Sequence, residues 1–195
     1  MTRSARTQVR IVAGTLRGRR LTCTVTDDLR PTPQMVREAY FSILGDAIPD
    51  RPFYDIFAGT GALGLEAISR GAKSTIFLEH DFRLASAIDK YLREFGVAAK
   101  GHAVRSDVYR WIDRWQPHAN EPVNVFLSPP FADLQHRIGD FLKLIAELQR
   151  KVPTGSVVTV QAEQGFPESE LPGPGWERRQ YGRNLLLLWV KSPPS

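Results

Sequence analysis

The chain has 195 residues, 42% of them hydrophobic and 24% charged, which suits one domain with a real core and leaves little room for two. No apolar run is long enough to cross a bilayer, and the Arg-rich start lacks the apolar segment of a secretory signal. The single cysteine, Cys23, excludes an internal disulfide and a cysteine-based metal site, so we expect a reducing cytoplasm and no bound metal.

The net charge of +5 is concentrated in the first part of the chain. Residues 1–26 contain six arginines and no acid, a charge of +6, so the other residues sum to −1 (+5 less +6). A local basic excess is typical of a segment that contacts a phosphate backbone. A solvated basic tail would have the same composition, and composition alone does not separate the two.

Two β-prone runs open the chain, QVRIVAG and RRLTCTV, and together they predict a hairpin. Its turn would display Arg17, Arg19 and Arg20 on one surface. The following segment, LRPTPQMVREAYFSILG, predicts a helix. We expect Thr32 to be the N-cap of that helix and Pro33 its first residue, because threonine accepts hydrogen bonds from free N–H groups and proline needs none.

Strand and helix patterns alternate from Pro52 onward. Strands are predicted at FYDIF, STIFLE, GHAV, VNVFL and SVVTVQ, with helices between them. A single helix, running from Leu134 to Leu148, is expected after VNVFL. The last segment, WERRQYGRNLLLLWV, predicts two strands that form an antiparallel hairpin and close the sheet. This order predicts an α/β fold with a mostly parallel sheet and helices on both faces.

A glycine-rich turn follows the first strand of that alternating region. Gly59, Gly61 and Gly64 satisfy the pattern G-x-G-x-x-G, and Glu79 ends the next strand twenty residues after Gly59. The pattern predicts a nucleotide-type ligand close to the turn, with the acid on its ribose hydroxyls. By itself it does not distinguish NAD from S-adenosylmethionine, because both ligands carry an adenosine ribose.

Two further acids favour S-adenosylmethionine. Asp55 lies just before the glycines, where a carboxylate would repel a pyrophosphate but attract the ammonium group of a methionine moiety. Asp107 follows the third strand, where it could contact an adenine amino group. Both acids also fit structural roles, Asp55 as a charge at a helix N-terminus and Asp107 as an N-cap.

The strand VNVFL runs directly into Ser128-Pro129-Pro130-Phe131. Two prolines stop the strand at its carboxyl end, where open α/β sheets bind ligands. Methylation of an aromatic amine needs acceptors for its two N–H groups, and the Ser128 oxygen and a carbonyl beside Pro129 could supply them. Phe131 could stack on the base, an interaction of about 1–3 kcal/mol. Catalysis would then depend mainly on positioning.

In this order, the motifs resemble those of class I S-adenosylmethionine-dependent methyltransferases, and the tetrapeptide is similar to the D/N/S-P-P-Y/F/W motif of amino-group methyltransferases. With RIVAGTLRGRRL and LRPTPQMVREAYFSIL included, the chain resembles the bacterial 16S rRNA (guanine(966)-N(2))-methyltransferase family from about Arg10 to Trp189. The resemblance implies an α/β, Rossmann-like class I methyltransferase domain at 29–195, with a mostly parallel seven-stranded sheet and a C-terminal antiparallel hairpin. It also implies a basic N-terminal arm and β-hairpin at 1–28 that contact RNA.

The resemblance further implies S-adenosylmethionine as cofactor and roles for individual residues. The tetrapeptide, Ser128, Pro129, Pro130 and Phe131, would be catalytic. The residues expected to bind the cofactor are Arg30, Thr32, Asp55, Phe57, Gly59, Thr60, Gly61, Glu79, His80, Ser106 and Asp107. The residues expected to contact RNA are Arg10, Arg17, Arg19, Arg20 and Arg37, although a solvated helix position fits Arg37 as well. The implied partner is 16S rRNA or an assembling small ribosomal subunit, bound by a monomer away from any membrane.

The chain departs from the family at Ser128, where most members carry Asp or Asn. A hydroxyl is shorter than a carboxylate and uncharged, so it would stabilise a cationic transition state less. Two alternatives therefore stay open: an amino-methyltransferase for another RNA or DNA base, and a non-catalytic rRNA-binding assembly factor that retains the pocket. An NAD-dependent oxidoreductase ranks third, because it would leave the tetrapeptide unexplained.

Overall fold

A computed structural model describes residues 5–25, 31–118 and 120–193. The strands are β1 Ala5–Arg10, β2 Arg20–Val25, β3 Pro52–Ile56, β4 Ser74–Glu79, β5 Gly101–Arg105, β6 Asn124–Leu127, β7 Val157–Glu163, β8 Glu177–Tyr181 and β9 Asn184–Val190. The helices are α1 Gln34–Leu44, α2 Ala62–Ser69, α3 Phe82–Glu94, α4 Val108–Arg114, α5 Phe131–His136 and α6 Ile138–Lys151. The predicted alternation of strands and helices is therefore confirmed.

The seven-stranded sheet has the order β5-β4-β3-β6-β7-β9-β8, and β1 and β2 form a separate two-stranded hairpin. Strands β3 to β7 pair in parallel, whereas β9 is antiparallel to both β7 and β8. The first strand of the sheet, β3, lies between β4 and β6. The chain adds β4 and β5 on one side of β3 and then β6 and β7 on the other, so the order of strand addition reverses at β3. Ligands bind at such a point in open α/β sheets, outside the carboxyl ends of the strands.

Helices cover both faces of the sheet. On one face, α4 and α6 bury Ile112 and Phe141 against strand residues that include Val125 and Leu127. Phe126, between those two, points to the other face and packs with α1 and α2. All four residues of β6 are buried, as expected of a central parallel strand with both faces covered.

The N-terminal hairpin packs on the sheet domain as an extension of it. Ile11, Leu16 and Leu21 are buried in one cluster with Leu65 of α2 and Ile88 of α3. The boundary expected after residue 28 therefore does not separate two hydrophobic cores. Instead, the hairpin uses the outer surface of α2 and α3 as its own packing partner.

Two local predictions were wrong. Helix α1 begins at Gln34 with Pro33 in the cap position, so Thr32 is not its N-cap. The Thr32 hydroxyl instead donates to Gln161 Oε1 at 2.7 Å, a partner far along the chain. The helix expected after β6 is two helices, because Arg137 leaves the helical region at φ −132° and separates α5 from α6.

Within the described ranges, no helix has the length and apolarity needed to cross a membrane. In the same ranges, no group of three or more His, Cys, Asp or Glu side chains is arranged as a set of metal ligands.

Candidate functional site

The glycine loop, residues 57–61, forms the tight turn that its sequence predicted. Gly59 and Gly61 have φ angles of 55° and 73°, a left-handed conformation that favours glycine. A Cβ at Gly61 would also lie 2.7 Å from Ile88 Cγ1. The Thr60 hydroxyl accepts from the Ala62 N–H at 3.4 Å and so supports the start of α2. The loop therefore offers backbone, rather than side chains, to a ligand above it.

The third glycine of the motif serves helix packing. A Cβ at Gly64 would lie 2.2 Å from a ring carbon of Phe77, so only glycine lets α2 approach β4 this closely. This is the packing role that the motif assigns to its last glycine.

Phe57 precedes the glycines in an unusual conformation. Its φ is 64°, although it is not glycine, and such positions cost about 1–3 kcal/mol and cluster at functional sites. The ring packs edge-on against Tyr109 and near Phe141 of α6, with centroids 5.9 and 6.2 Å away. Because its ring packs against Tyr109 and Phe141, Phe57 contributes only its backbone to the glycine loop. We therefore propose no contact between its side chain and the cofactor.

Glu79 joins the glycine loop to the next strand end. Its carboxylate accepts from the Gly59 N–H at 2.7 Å and from the Asp81 N–H at 2.8 Å. The residue is 8% exposed, and each oxygen retains a lone pair that could accept from a ribose hydroxyl. His80 stands beside it with its side chain 85% exposed and its Nδ1 3.8 Å from the Glu79 carboxylate. Glu79 is therefore at the wall of the site, and His80 is at its rim.

Asp55 is a support beneath the loop. It is 2% exposed and accepts from the Gly64 N–H at 2.9 Å, which places it against the first turn of α2. Burial raises the pKa of Asp55 to about 7; the Gly64 hydrogen bond opposes that rise and the charge of Glu79 adds to it. The structure thus shows the helix N-terminal role for Asp55, while the cofactor contact expected of this residue stays a prediction.

Asp107 is the N-cap of α4. Its carboxylate accepts from the Tyr109 N–H at 2.9 Å, and the Ser106 hydroxyl donates to the Asp107 carbonyl at 3.2 Å. Both residues line an open cleft of about 410 Å³, whose other walls are Arg110, Trp111 and Arg114. Asp107 is exposed, and its Oδ1 is the oxygen that caps the helix.

The tetrapeptide ends β6 beside the glycine loop. The Ser128 N–H donates to the Ile56 carbonyl at 3.3 Å, which ties it to the end of β3. The Pro130 carbonyl accepts from Asp133 in the first turn of α5. Within the described residues, neither the Ser128 hydroxyl nor the Pro129 carbonyl has a hydrogen-bond partner. Phe131 begins α5 with 63% of its surface exposed.

These groups lie in one row. The strands β5, β4, β3 and β6 are successive neighbours, so Asp107, Glu79, the glycine loop and Ser128 follow one another along the carboxyl edge. Neighbouring strands are about 4.8 Å apart, which makes the row about 14 Å long. The carboxylates at one end of the row suit a ribose and an adenine amine, and the bare backbone in the middle suits a methionine tail. The acceptors of the tetrapeptide, at the other end, are left for a substrate amine. Glu79, Asp107 and the glycine loop are therefore compatible with bound S-adenosylmethionine.

The residues around Arg37 differ from expectation. Arg37 is 2% exposed, and its guanidinium donates to the Thr32 carbonyl at 2.7 Å and the Arg10 carbonyl at 2.8 Å. It is neither a solvated helix residue nor an accessible RNA contact, but a link between the hairpin and the segment before α1. Thr32 is engaged through both its hydroxyl and its carbonyl, and Arg30 lies outside the described residues.

The remaining arginines of the hairpin face outward, as predicted. Arg10, Arg17, Arg19 and Arg20 are all exposed, and so is Arg6 of β1. The Arg19 guanidinium lies 5.5 Å from the Phe95 ring centroid, and the Arg20 guanidinium donates to the Gln8 side chain at 3.0 Å.

Sequence patterns did not reveal how the hairpin is held. Glu66 of α2 is fully buried and accepts from the Val12 N–H at 2.9 Å and the Ala13 N–H at 3.1 Å. Ser69 is buried as well, and its hydroxyl donates to the Ala13 carbonyl while accepting from the Leu16 N–H. The one available signal was an acid inside GLEAIS, a helix whose residues are otherwise small or apolar.

Comparison with known proteins adds the family. A family model described as "Conserved hypothetical protein 95" matches residues 9–190. Ribosomal RNA small subunit methyltransferase D of Haemophilus influenzae is 37% identical over 131 residues, which are 67% of this chain and 67% of that protein. The solved structure of the Escherichia coli protein yhhF has a TM-score of 0.75 at 28% identity and covers 96% of this chain and 100% of its own.

A more distant structure shares the fold. The Thermus thermophilus 16S rRNA N2 G1207 methyltransferase, solved with AdoMet and guanosine, has a TM-score of 0.72 at 20% identity, covering 96% of this chain and 50% of its own. The predicted class I methyltransferase fold is therefore confirmed. The chain belongs to the Conserved hypothetical protein 95 family, and its predicted relationship to the small-subunit ribosomal RNA methyltransferases is confirmed.

Proposed function

We propose that this protein transfers a methyl group from S-adenosylmethionine to the exocyclic N2 of a guanine in 16S rRNA. The observation that carries the proposal is the pair of free acceptors at Ser128 and Pro129, placed next to the glycine loop at the switch point of the sheet. The cofactor, when bound, supplies an electrophilic methyl group on its sulfonium. The chain itself would align the amine and let one of its protons leave.

The tetrapeptide would provide that alignment. The amine of guanine is a poor nucleophile because its lone pair is delocalised into the ring. When the Ser128 hydroxyl and the Pro129 carbonyl accept its two N–H groups, the lone pair turns away from the ring plane and the developing positive charge is dispersed. The exposed ring of Phe131 would hold the base by stacking, and one N2 proton would leave to water past the Ser128 hydroxyl.

The other strand ends would hold the cofactor. In this proposal, Glu79 accepts from the ribose hydroxyls, and Asp107 with Ser106 borders the adenine. Gly59 and Gly61 let the methionine part lie directly on the backbone, since neither glycine presents a side chain.

The hairpin would bind the RNA backbone. Four outward arginines, Arg10, Arg17, Arg19 and Arg20, stand on a structure whose loop is fixed to α2. A rigid array of guanidinium groups suits phosphates, which each can bind in a bidentate manner. The name of the Haemophilus influenzae relative supports small-subunit rRNA as the substrate. A monomer acting in the bacterial cytoplasm, on an assembling small subunit, completes the proposal.

The deciding experiment is transfer of labelled methyl groups from S-adenosylmethionine to small-subunit particles from a strain that lacks the corresponding methyltransferase. We expect labelled N2-methylguanosine after digestion to nucleosides. Particles from the parent strain, whose guanine is already methylated, are the matched control and should take up no label. Cofactor binding in calorimetry without any transfer would contradict the proposal and support an rRNA-binding assembly factor.

The same assay can use naked 16S rRNA in place of particles. A much faster reaction with particles would support the assembling subunit as the partner. Light scattering on the complex would measure how many copies of the protein bind to one particle, and we expect one copy.

A further inference from the structure

Tyr109 touches three segments of the site at once. Its backbone N–H is held by Asp107, the residue proposed to border the adenine. Its ring packs against Phe57 of the glycine loop, with centroids 5.9 Å apart. Its hydroxyl donates to Asp133 Oδ2 at 2.7 Å, and the guanidinium of Arg137 lies 4.0 Å from its ring centroid. The last two residues belong to the segment that follows the tetrapeptide.

That segment has little else to hold it. All six residues of α5 are described, and none of them is buried. Arg137 has a non-helical backbone conformation between α5 and α6. Helix α5 is therefore not a continuation of the longer helix α6. Leu134 is partly buried against the core, and the Tyr109 hydrogen bond adds the directional contact. Phe131 is the first residue of α5, so it belongs to the same short helix as Asp133.

The hydrogen bond has a fixed polarity. Burial and the neighbouring Asp133 carboxylate both raise the pKa of Tyr109 well above its usual range, so the hydroxyl remains a donor at neutral pH. A hydrogen bond to a charged acceptor is stronger than one between neutral groups. Arg137 completes the arrangement, because its charge lies over the ring while its Nε donates to Asp140 at 3.2 Å.

We propose that Tyr109 is a positioning residue that transmits occupation of the cofactor site to Phe131, through its hydrogen bond to Asp133. A ligand that orders Asp107 and the glycine loop also restricts the backbone and ring of Tyr109. The hydroxyl then holds α5 in one place at a lower entropic cost, which is coupling through order rather than through a large movement. The inference rests on the proposed function in one respect, the stacking of Phe131 on the target base.

The first test measures order without any reaction. Hydrogen exchange of the amides in residues 131–137 is followed with and without S-adenosylmethionine, in the wild type, in Tyr109→Phe and in Tyr54→Phe. Tyr54 is the matched control because its ring packs on Trp111 of α4, the helix that contains Tyr109, and on Trp115 just after that helix. We expect the cofactor to slow exchange at least about threefold in the wild type and in Tyr54→Phe, and to leave it unchanged in Tyr109→Phe. Cofactor-dependent protection that persists in Tyr109→Phe would overturn the proposal.

The second test uses methyl transfer. Tyr109→Phe and Asp133→Ala should each lower kcat roughly tenfold, and the double variant should be no slower than either, because all three lose the same contact. The dissociation constant of S-adenosylmethionine should change by less than about threefold, since the variants leave the cofactor contacts in place. Additive losses in the double variant, or a lower melting temperature with unchanged kcat, would overturn a positioning role.

The two proposals can fail separately. If the wild type transfers no methyl group to rRNA while protection of residues 131–137 still requires Tyr109, the proposed function fails and the coupling stands. If transfer occurs and protection is independent of Tyr109, the reverse holds.

Discussion

The arginine-bearing hairpin and the helix after the tetrapeptide would both meet RNA, but they are held by different kinds of contact. The hairpin loop is fixed to α2 by the buried side chains of Glu66 and Ser69, and the end of β1 is fixed to α1 by the buried Arg37. Helix α5 has no buried residue and one directional tether, from Tyr109. The surface proposed to bind RNA is therefore preformed, whereas the helix proposed to hold one base has fewer fixed contacts.

Glu66→Ala should have the largest effect. The change leaves two N–H groups of the hairpin loop and the Arg70 guanidinium without their acceptor, and loss of one partner of a buried charged network costs about 3–5 kcal/mol. Urea unfolding measures the cost. The control is Glu94→Ala, an exposed helix residue paired with Lys90, which should cost about 0.3–0.5 kcal/mol. The contrast between the two regions would disappear if Asp133→Ala, on the α5 side, destabilised the protein as much as Glu66→Ala.

Asp55 should make stability depend on pH in a direction unusual for an acid. The unfolded chain releases this proton near the ordinary pKa of 3.8, while the folded protein keeps it until about 7. Between these values the unfolded state binds fewer protons, so the free energy of unfolding should fall as pH rises, by at most about 4 kcal/mol, and level off above pH 7. In Asp55→Asn this decline should be absent, whereas the exposed Asp46→Asn should keep it. Identical pH profiles for the wild type and Asp55→Asn would refute the assignment.

The triple change Arg17→Ala, Arg19→Ala and Arg20→Ala should weaken RNA binding without affecting the fold. Each phosphate contact contributes about 0.7 to the slope of log Kd against log salt on single-stranded RNA, so the slope should fall by about 2. Affinity should drop more than about tenfold at low salt. Arg150→Ala, an exposed arginine paired with Glu147 on α6, is the control. An unaltered salt slope in the triple variant would move the RNA contact away from the hairpin.

Ser128 should have the smallest effect of these changes. Ser128→Ala removes one acceptor for the amine, and we expect kcat to fall roughly tenfold with little change in cofactor affinity, as for loss of one hydrogen bond. Ser128→Asp, which restores the residue type common in the family, should raise kcat above the wild type, because a carboxylate stabilises positive charge better. Equal rates for all three proteins would show that the Ser128 side chain does not hold the amine.

Local patterns predicted every strand, the glycine turn and the position of the tetrapeptide, because strand period, glycine spacing and paired prolines act within a few residues. Long-range partners were invisible to them. Thr32 looked like a helix cap, but its hydroxyl bonds to Gln161, 129 residues away. Arg37 was expected to contact RNA, with a solvated position as the alternative, and only the fold shows that it is buried and donates to two backbone carbonyls. The helical spacing of apolar residues also continued through Arg137, where the backbone is not helical and separates α5 from α6.

The length of helix α2 limits which sequence changes this protein can tolerate. It begins at the glycine loop and ends at Ser69, so the cofactor site and the hairpin anchor are separated by eight residues, about 12 Å of helix. Inserting one residue would lengthen that spacing by about 1.5 Å and turn the anchoring face by about 100°. A substitution along α2 would change the strength of this attachment, whereas any change of length would move the proposed RNA-binding hairpin away from the proposed cofactor site.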